Sequence, residues 1–302
     1  MKKVIKAPAK INLCLRVNGK REDGYHDLSM IMQTISLFDV LELEITKENN
    51  INILNNEPNR QIRLKCNQAY IPTDERNLVY KVVDYIYREY NINDKIDINL
   101  KKMIPTSGGL GGGSSDAASM LIFLNRFYKL NLKNDELAKI ASIFGSDIPF
   151  FIYKKECICE GRGEIIKQIK PFNNYFVLIA TPNIRVSTKE IFSKVDSFEI
   201  PDSRKQLESI AFDNCINAIK NKNLNLLTNN IFNNLEIVTE SMFEDVTVFK
   251  KRMVELGALT ALMSGSGPTV FGIFSSYIKA LNCKNILKKE HKDSFAFLTK
   301  PI

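Results

Sequence analysis

Histidine is scarce in this chain of 302 residues, which contains only His26 and His291. Its six cysteines are scattered, and the one close pair, Cys157 and Cys159, has no histidine beside it. A structural zinc site needs four clustered Cys or His ligands, and a disulfide framework needs regularly spaced cysteines. We therefore expect neither, and we expect the cysteines to be reduced, as is usual in the cytosol.

Long apolar runs are missing as well. The longest, such as the run over residues 148–153, are far shorter than the roughly 20 residues that a membrane-spanning helix needs. The first residues show no signal-peptide pattern. Hydrophobic residues make up 44% of the sequence and charged residues 25%, which is typical of a globular enzyme. We expect a cytoplasmic protein with no membrane partner.

The charge balance also limits the possible partners. A formal net charge of +8 is compatible with nucleic acid, with an anionic small substrate, or with a lysine-rich surface. The lysines are spread along the chain and form no basic stripe interleaved with aromatic residues, which a nucleic-acid interface requires. We therefore expect no nucleic-acid partner, and the sequence leaves the oligomeric state open.

Apolar spacing predicts a mixture of strands and helices. Helical spacing occurs at residues 75–90, 115–130 and 133–145, whereas residues 39–46, 61–66 and 175–182 read as strands. Residues 4–17 predict two strands around Pro8, residues 154–174 a hairpin and linker, and residues 217–234 a helix. Residues 49–59 are merely rich in asparagine. Because there is no steady strand–helix–strand rhythm, we expect the α+β class.

The most informative segment is the glycine-rich loop, residues 108–113, in which five of six residues are glycine. Glycine lets the backbone approach a ligand closely and take positive φ. The loop lies where a predicted strand ends and a helix begins, and the N–H groups and dipole of a helix N-terminus attract anions. Ser114, Ser115 and Asp116 add capping and hydroxyl groups. The segment therefore predicts a phosphate site.

Two common phosphate-loop patterns do not fit this segment. The P-loop pattern matches at Gly108 and Gly113 but has Ser114 where lysine is required. A dinucleotide fingerprint starting at Gly109 has Ser114 in place of its last glycine, and a helix follows where a strand ending in an acid is needed. A glycine-rich hairpin without a ligand is a weak alternative, because so many glycines cost stability.

A third loop type fits. PTSGGLGGGSSDAAS, residues 105–119, closely resembles the phosphate loop of the GHMP kinases. APAKINLCLRV near the start resembles that superfamily's first motif, and LMSGSGPTVFGIF, residues 262–274, resembles its third motif. The resemblance covers essentially the whole chain. It implies a two-domain GHMP kinase fold, with an N-terminal mixed α/β domain (1–170), a C-terminal α+β domain (171–302) and an active site in the cleft between them.

Six motifs together resemble the branch of this superfamily that phosphorylates a CDP-linked methylerythritol: PAKINL, DGYHDL, GLGGGSSDAA, GSDIPFF, GRGE and SGSGPTVF. The resemblance implies transfer of the γ-phosphate of ATP to the 2-hydroxyl of 4-CDP-2-C-methyl-D-erythritol, in the non-mevalonate (MEP) route to isoprenoid precursors. It also implies Mg²⁺, held mainly through the phosphates. No carboxylate is clearly placed as a metal ligand, so the protein's ligands stay unassigned.

The resemblance further implies roles for individual residues. Asp147 of GSDIPFF would be the catalytic base and Lys10 of PAKIN its partner. The ATP-binding residues would be Asn77, Pro105, Thr106, Ser107, Gly108, Gly109, Leu110, Gly111, Gly112, Gly113, Ser114 and Ser115. The substrate-binding residues would be Asn12, Tyr25, His26, Thr188 and Phe192.

These roles are chemically sensible. A positioned carboxylate can take the proton that a hydroxyl loses as it attacks phosphorus. The Tyr25 ring can stack on a pyrimidine, and His26 offers a donor and an acceptor. Sister kinases that act on homoserine or mevalonate would share the glycine-rich loop, but they have no use for a nucleobase clamp. A non-catalytic member would lack Asp147 or Lys10, and both are present.

The sequence also departs from the family pattern at two places. Thr106 and Ser107 stand where members often carry small or apolar residues, which affects the expected fit of the nucleoside. NNLE, residues 233–236, stands where many members have an aspartate at the second position. We therefore assign no role to that acid here.

Overall fold

The computed structural model describes residues 1–47, 61–198 and 201–302. The asparagine-rich segment at 49–59 lies outside the described residues. Both helices and strands are present, so the α+β class is confirmed. None of the described helices is long and apolar enough to cross a membrane.

The strands of the described residues are, in chain order, β1 (Lys2–Lys20), β2 (His26–Thr46), β3 (Ile62–Cys66), β4 (Lys95–Lys101), β5 (Cys157–Gly161), β6 (Ile165–Gln168), β7 (Phe176–Thr181), β8 (Phe232–Asn233), β9 (Thr260–Met263), β10 (Val270–Phe274) and β11 (Phe295–Thr299). The helices are α1 (Leu78–Glu89), α2 (Gly112–Phe127), α3 (Asn134–Phe144), α4 (Ile148–Tyr153), α5 (Thr188–Val195), α6 (Asp202–Lys220), α7 (Leu224–Thr228), α8 (Asn234–Met242), α9 (Glu244–Glu255) and α10 (Tyr277–Glu290).

Contacts divide the chain into two compact units, each built from separate segments. Unit 1 contains Met1–Pro8, Phe38–Ile104 and Gly112–Tyr153, and unit 2 contains Ala9–Leu37, Pro105–Gly111 and Lys154–Ile302. The strands β1 and β2 each run from one unit into the other. Each unit joins segments that are far apart in the sequence, so the units do not test a division at a single boundary. The predicted domains, residues 1–170 and 171–302, stay a prediction.

The described residues of unit 1 form a small sheet and four helices. Strand β3 pairs in parallel with β4, and β4 pairs antiparallel with residues 40–46 of β2. Helix α1 buries Val79, Val82, Val83 and Ile86 on one side, which is the stripe expected of an amphipathic helix. Helix α2 packs against α1, α3 and α4. Its residues from Ser115 to Leu121 are buried, so the helix that follows the glycine-rich loop is held firmly by its neighbours.

The strands of unit 2, as far as its residues are described, fall into two groups. Strands β11, β7, β10 and β9 form an antiparallel sheet in that order, and every residue of β10 is buried. Residues 28–32 of β2 pair with β5, which forms a hairpin with β6, and β8 pairs in parallel with β1. Helices α9 and α10 pack on the antiparallel sheet. The hairpin predicted within residues 154–174 and the strand predicted near 175–182 are confirmed.

Two sequence-based predictions of secondary structure are wrong. β1 is one continuous strand through the buried Pro8 rather than two. The fixed φ of proline is compatible with a strand, and its cost is limited to one missing N–H donor. Residues 217–234 contain the end of α6, all of α7 and β8 rather than one helix. Asn221 is the C-cap of α6, and the side chain of Asn223 caps α7 by accepting from the Leu226 N–H, since asparagine side chains compete for backbone hydrogen bonds.

Candidate active site

In unit 2, the first part of the glycine-rich loop packs on the loop between β9 and β10, which we call the third-motif loop (residues 264–269). Gly109 and Gly111 have φ of 73° and 69°, the left-handed region that favours glycine. A Cβ at Gly109 would lie 1.9 Å from the carbonyl oxygen of Ser264, and Ser264 Oγ donates to Gly109 O at 2.9 Å. Close packing within the protein therefore requires glycine at this position.

The remaining glycines, in unit 1, have different surroundings. A Cβ at Gly112 would lie 3.1 Å from Lys102 Nζ and 3.2 Å from Asp39 Oδ2, so protein atoms occupy the space beside it. A Cβ at Gly113 would meet, among the described residues, only Leu78 Cδ1 at 3.9 Å. The backbone at the start of α2 thus has open space at Gly113, as an anion at a helix N-terminus needs.

Three buried charged residues of unit 1, Asp39, Lys102 and Asp116, form what we call the charge cluster. Lys102 Nζ donates to Asp39 Oδ2 and, at 2.8 Å, to Asp116 Oδ2. Asp39 Oδ1 accepts from the backbone N–H groups of Met103 and Ile104 at 2.6 and 2.8 Å. The cluster therefore ties the segment before the glycine-rich loop to the first turns of the helix after it.

The predicted catalytic residues lie in different units. In unit 2, Lys10 is buried on β1, where its Nζ donates to Asn12 Oδ1 at 2.5 Å and its backbone N–H to Leu110 O at 3.0 Å. A Cβ at Gly265 would lie 3.5 Å from Lys10 Nζ. Lys10 and Asn12 are thus brought beside the glycine-rich and third-motif loops. In unit 1, Asp147 is partly exposed in the turn before α4, whose apolar side chains are buried.

The predicted nucleobase residues of unit 2 come together in part. The rings of His26 and Phe192 lie 5.1 Å apart between centroids, with an interplanar angle of 35°. Thr188 Oγ1 and Ser266 Oγ of the third-motif loop are hydrogen-bonded at 2.7 Å. Tyr25 is 55% exposed. One face of its ring is covered by Arg162, whose Cζ lies 4.4 Å from the ring centroid.

Asn77 has a local structural function. It caps α1, because its Oδ1 accepts from the Val79 N–H at 2.9 Å, and its Nδ2 donates to Pro72 O at 2.8 Å. Both ends of the amide are therefore used by the backbone of the same unit. Contact with the adenine stays a prediction.

Comparison with known proteins agrees with this geometry. Family models of the GHMP kinase N-terminal and C-terminal domains match residues 77–155 and 215–293. The chain is 41% identical to a 4-diphosphocytidyl-2-C-methyl-D-erythritol kinase of Clostridium beijerinckii, over 96% of this chain and 98% of that relative. The chain belongs to this family of GHMP kinases. The resemblance inferred from the motifs, the two-domain GHMP kinase fold and the prediction of a kinase are thereby confirmed.

Solved structures show the same fold. A crystal structure of 4-(cytidine 5′-diphospho)-2C-methyl-D-erythritol kinase superposes with a TM-score of 0.78 at 27% identity, covering 100% of both chains. A homoserine kinase from Cytophaga hutchinsonii gives a TM-score of 0.79 at 16% identity, covering 100% of this chain and 94% of the other. Because the two scores are nearly equal, the fold of this kinase family does not by itself select the substrate.

Sequence reasoning missed two residues beside the nucleobase group. Asp196, the C-cap of α5, accepts from His26 Nε2 at 2.8 Å, and this hydrogen bond holds the pKa of Asp196 below its usual value. The spacing could have revealed it, since Thr188, Phe192 and Asp196 follow one another at intervals of four on one helix face. Arg162 comes from the GRGE motif, which by itself indicates no function.

The structure explains why asparagine can stand at position 234 of the segment NNLE (residues 233–236), where many family members have aspartate. Asn233 Nδ2 donates to Met263 O and Gly265 O at 2.9 and 2.7 Å, and Glu236 Oε2 accepts from the Met263 N–H at 2.8 Å. Asn234, where many members have aspartate, accepts from the Val17 N–H at 2.8 Å and donates to Glu208. The segment therefore supports the third-motif loop, and residue 234 uses the donor that an aspartate lacks.

Asp39 and Lys102 were also missed, although strand pairing places them together. Val40 pairs with Lys101 in the antiparallel register of β2 and β4, so residues 39 and 102 are the next pair.

Burial raises the pKa of Asp116 to about 8 despite the opposing effect of Lys102. Burial lowers the pKa of Lys102, but the attraction of both carboxylates outweighs it and the net shift is upward.

The two acids of the charge cluster should respond differently to amide substitution. At about pH 7, Asp116→Asn should not lower the free energy of unfolding, because the amide replaces a carboxyl whose raised pKa keeps it largely protonated in the folded protein although it is ionised in the unfolded chain. Asp39→Asn should cost about 3–5 kcal/mol, because Lys102 loses its charged partner in a buried site. Urea denaturation followed by circular dichroism measures both, and equal losses would contradict the assignment.

The pH dependence provides a second measurement on the same variants. The pKa of folded Asp116, about 8, lies above its ordinary value of 3.8. A raised folded pKa contributes stability at low pH that is lost as the pH rises, here from about 4 towards about 8. The Asp116→Asn variant lacks this titrating group and should therefore lose less stability than the wild type over that window.

Proposed function

We propose that this kinase transfers the γ-phosphate of ATP to the 2-hydroxyl of 4-CDP-2-C-methyl-D-erythritol, giving the 2-phosphate and ADP, in the non-mevalonate (MEP) pathway. The observation that carries this choice of substrate is the contact of His26 with Phe192, whose rings lie 5.1 Å apart. A paired imidazole and phenyl ring suit a nucleobase, which offers a flat face and a polar edge. Homoserine and mevalonate offer neither. A cytoplasmic location is part of the proposal.

The nucleotide's phosphates would be held by the backbone around the N-terminus of α2. The open space at Gly113 and the burial of α2 from Ser115 onward support this assignment, because preorganised N–H groups bind anions without further ordering. The ATP contacts that we propose are those predicted from the sequence, namely the loop residues 105–115 and Asn77.

A divalent cation carried by the phosphates fits these residues. Among the described residues, no group of three or more His, Cys, Asp or Glu side chains is placed to hold a metal. Within the same part of the chain, Ser115 Oγ is buried on the first turns of α2 with no hydrogen-bond partner. Ser115 would therefore hold Mg²⁺ together with the phosphates, and the ion would neutralise charge on the transferring group.

For the chemical step we propose Asp147 as the base. It would take the proton of the 2-hydroxyl as this oxygen attacks phosphorus. Lys10 would stabilise the negative charge that develops on the phosphoryl group. The buried position of Lys10 and its bond to Asn12 support this role, because a side chain with restricted motion is preorganised.

The substrate would be positioned by unit 2. We propose that the cytosine stacks on the face of Tyr25 opposite Arg162 and contacts His26 and Phe192. Asn12 would contact the erythritol end, and Thr188 would add a polar contact. The hydrogen bond between Thr188 and Ser266 supports a link between this region and the third-motif loop.

The proposed activity is tested with a panel of acceptors. The purified protein with ATP and Mg²⁺ should release ADP with 4-CDP-2-C-methyl-D-erythritol and should not do so with homoserine or mevalonate. A coupled ADP assay measures turnover, and phosphorus NMR identifies the new monoester. Comparable turnover with homoserine would overturn the choice of substrate.

The Asp147→Asn variant separates chemistry from binding. It keeps the size of the side chain but cannot accept the proton, so kcat should fall by about 10²–10⁴ while the Kd values of both substrates stay near those of the wild type. Lys10→Ala should also lower kcat, and the double variant should be little worse than the poorer single variant.

Asp84→Asn is a suitable control for this series, because Asp84 lies on the surface of α1 and pairs with Arg88. It should leave kcat unchanged. If Asp147→Asn retains near-wild-type kcat, Asp147 is not the base.

Substitution of Tyr25 tests the nucleobase stack. Tyr25→Ala should raise KM for the CDP-linked substrate about 5- to 150-fold, because stacking on an aromatic ring is worth roughly 1–3 kcal/mol. KM for ATP should change little, and Tyr25→Phe, which keeps the ring, should behave like the wild type. An equal rise in both KM values would place Tyr25 at the ATP instead.

A further inference from the structure

The contact between His26 and Asp196 determines which ring nitrogen of His26 carries hydrogen. Asp196 Oδ1 lies 2.8 Å from His26 Nε2. The hydrogen bond to His26 holds the carboxyl of Asp196 in its ionised form by lowering its pKa. An ionised carboxylate can only accept a hydrogen bond, so Nε2 must be the donor. In the neutral ring, Nδ1 is then left as an acceptor.

The two carboxylate oxygens of Asp196 have different partners. Lys20 Nζ lies 3.1 Å from Asp196 Oδ2, the oxygen that His26 does not use. A lysine ammonium can only donate. Asp196 Oδ1 therefore accepts from His26 and Oδ2 from Lys20, so each donor has an acceptor of its own.

We propose that Asp196, supported by Lys20, is a positioning residue that keeps N–H on Nε2 of His26 and thereby makes the enzyme select cytosine over uracil. The inference rests on the proposed function, in which His26 faces the pyrimidine. Nδ1 as an acceptor pairs with the 4-amino group of cytosine. Uracil has a carbonyl oxygen at that position, so two acceptors would face each other, which leaves a buried polar group unpaired.

The helix that carries Asp196 supports this assignment. Phe192 stands one turn before Asp196 on α5, and its ring packs on the ring of His26. The His26 side chain is only 6% exposed. One helix thus fixes both the plane of the imidazole and its pattern of hydrogens, which is what discrimination between two bases of the same shape requires.

The Asp196→Asn substitution should reverse the pattern of hydrogens on His26. The amide keeps the shape of the carboxylate, but one of its two ends now donates. Lys20 must face the amide oxygen, so the NH₂ group faces His26 Nε2, which becomes the acceptor. N–H then moves to Nδ1. In the Lys20→Met variant the carboxylate remains and Nε2 should keep its hydrogen.

Nitrogen-15 NMR of the histidine side chains tests this directly, at a mildly alkaline pH where an imidazole is neutral. The chain has only two histidines, so His291 serves as an internal reference. Wild type, Lys20→Met and Glu190→Gln should show N–H on Nε2 of His26, and Asp196→Asn should show it on Nδ1. Glu190→Gln is the matched control, because Glu190 lies on the same helix but pairs with Lys194.

Calorimetric titration with CDP and with UDP measures the consequence without any turnover. The wild type and Glu190→Gln should bind CDP more tightly than UDP, and Asp196→Asn should reduce this preference roughly tenfold or more. N–H on Nδ1 in the wild type, no binding of CDP, or an unchanged CDP/UDP ratio in Asp196→Asn would overturn the inference. If these results are as expected but 4-CDP-2-C-methyl-D-erythritol is not phosphorylated, the proposed function fails instead.

Discussion

The ammonium group of Lys102 lies between the buried carboxyl groups of Asp39 and Asp116, and the start of α2 depends on these two contacts. Asp39 also accepts from two backbone N–H groups ahead of the glycine-rich loop, whereas Asp116 belongs to the helix after it. Removal of one partner from a buried ion pair costs several kcal/mol. The cluster therefore fixes both ends of a loop whose glycines would otherwise leave it flexible, and a rigid loop keeps its N–H groups directed at one place.

In unit 2, a different set of contacts supports the first part of the same loop. Ser264 donates to Gly109, while Asn233 and Glu236 bind the backbone of residues 263 and 265. The hydrogen bonds of Asn233 and Glu236 are buried, and buried hydrogen bonds are costly to leave unmade. A phosphate loop rich in glycine has few side chains of its own, so its geometry is supplied by the polar side chains around it.

The sequence was most informative where chemistry is local. The helical periodicity of residues 75–90 predicted α1, and the glycine-rich segment predicted that a helix begins beside it, because both signals depend on neighbours within a few positions. The same reasoning failed at Pro8 and at residues 217–234. Whether a proline interrupts a strand depends on its partner strand, and whether asparagines end a helix depends on the hydrogen bonds that compete for them.

The family, the α+β class and the candidate residues of the site were determined by the sequence alone, since motifs carry the residue types that a reaction needs. Only the tertiary structure decided what holds those residues. Asp196 contacts His26 although 170 positions of sequence separate them, and Asp39 contacts Lys102 across 63 positions. Such pairs leave little local signal, because burial and charge pairing arise only when distant segments pack together and remove water from between them.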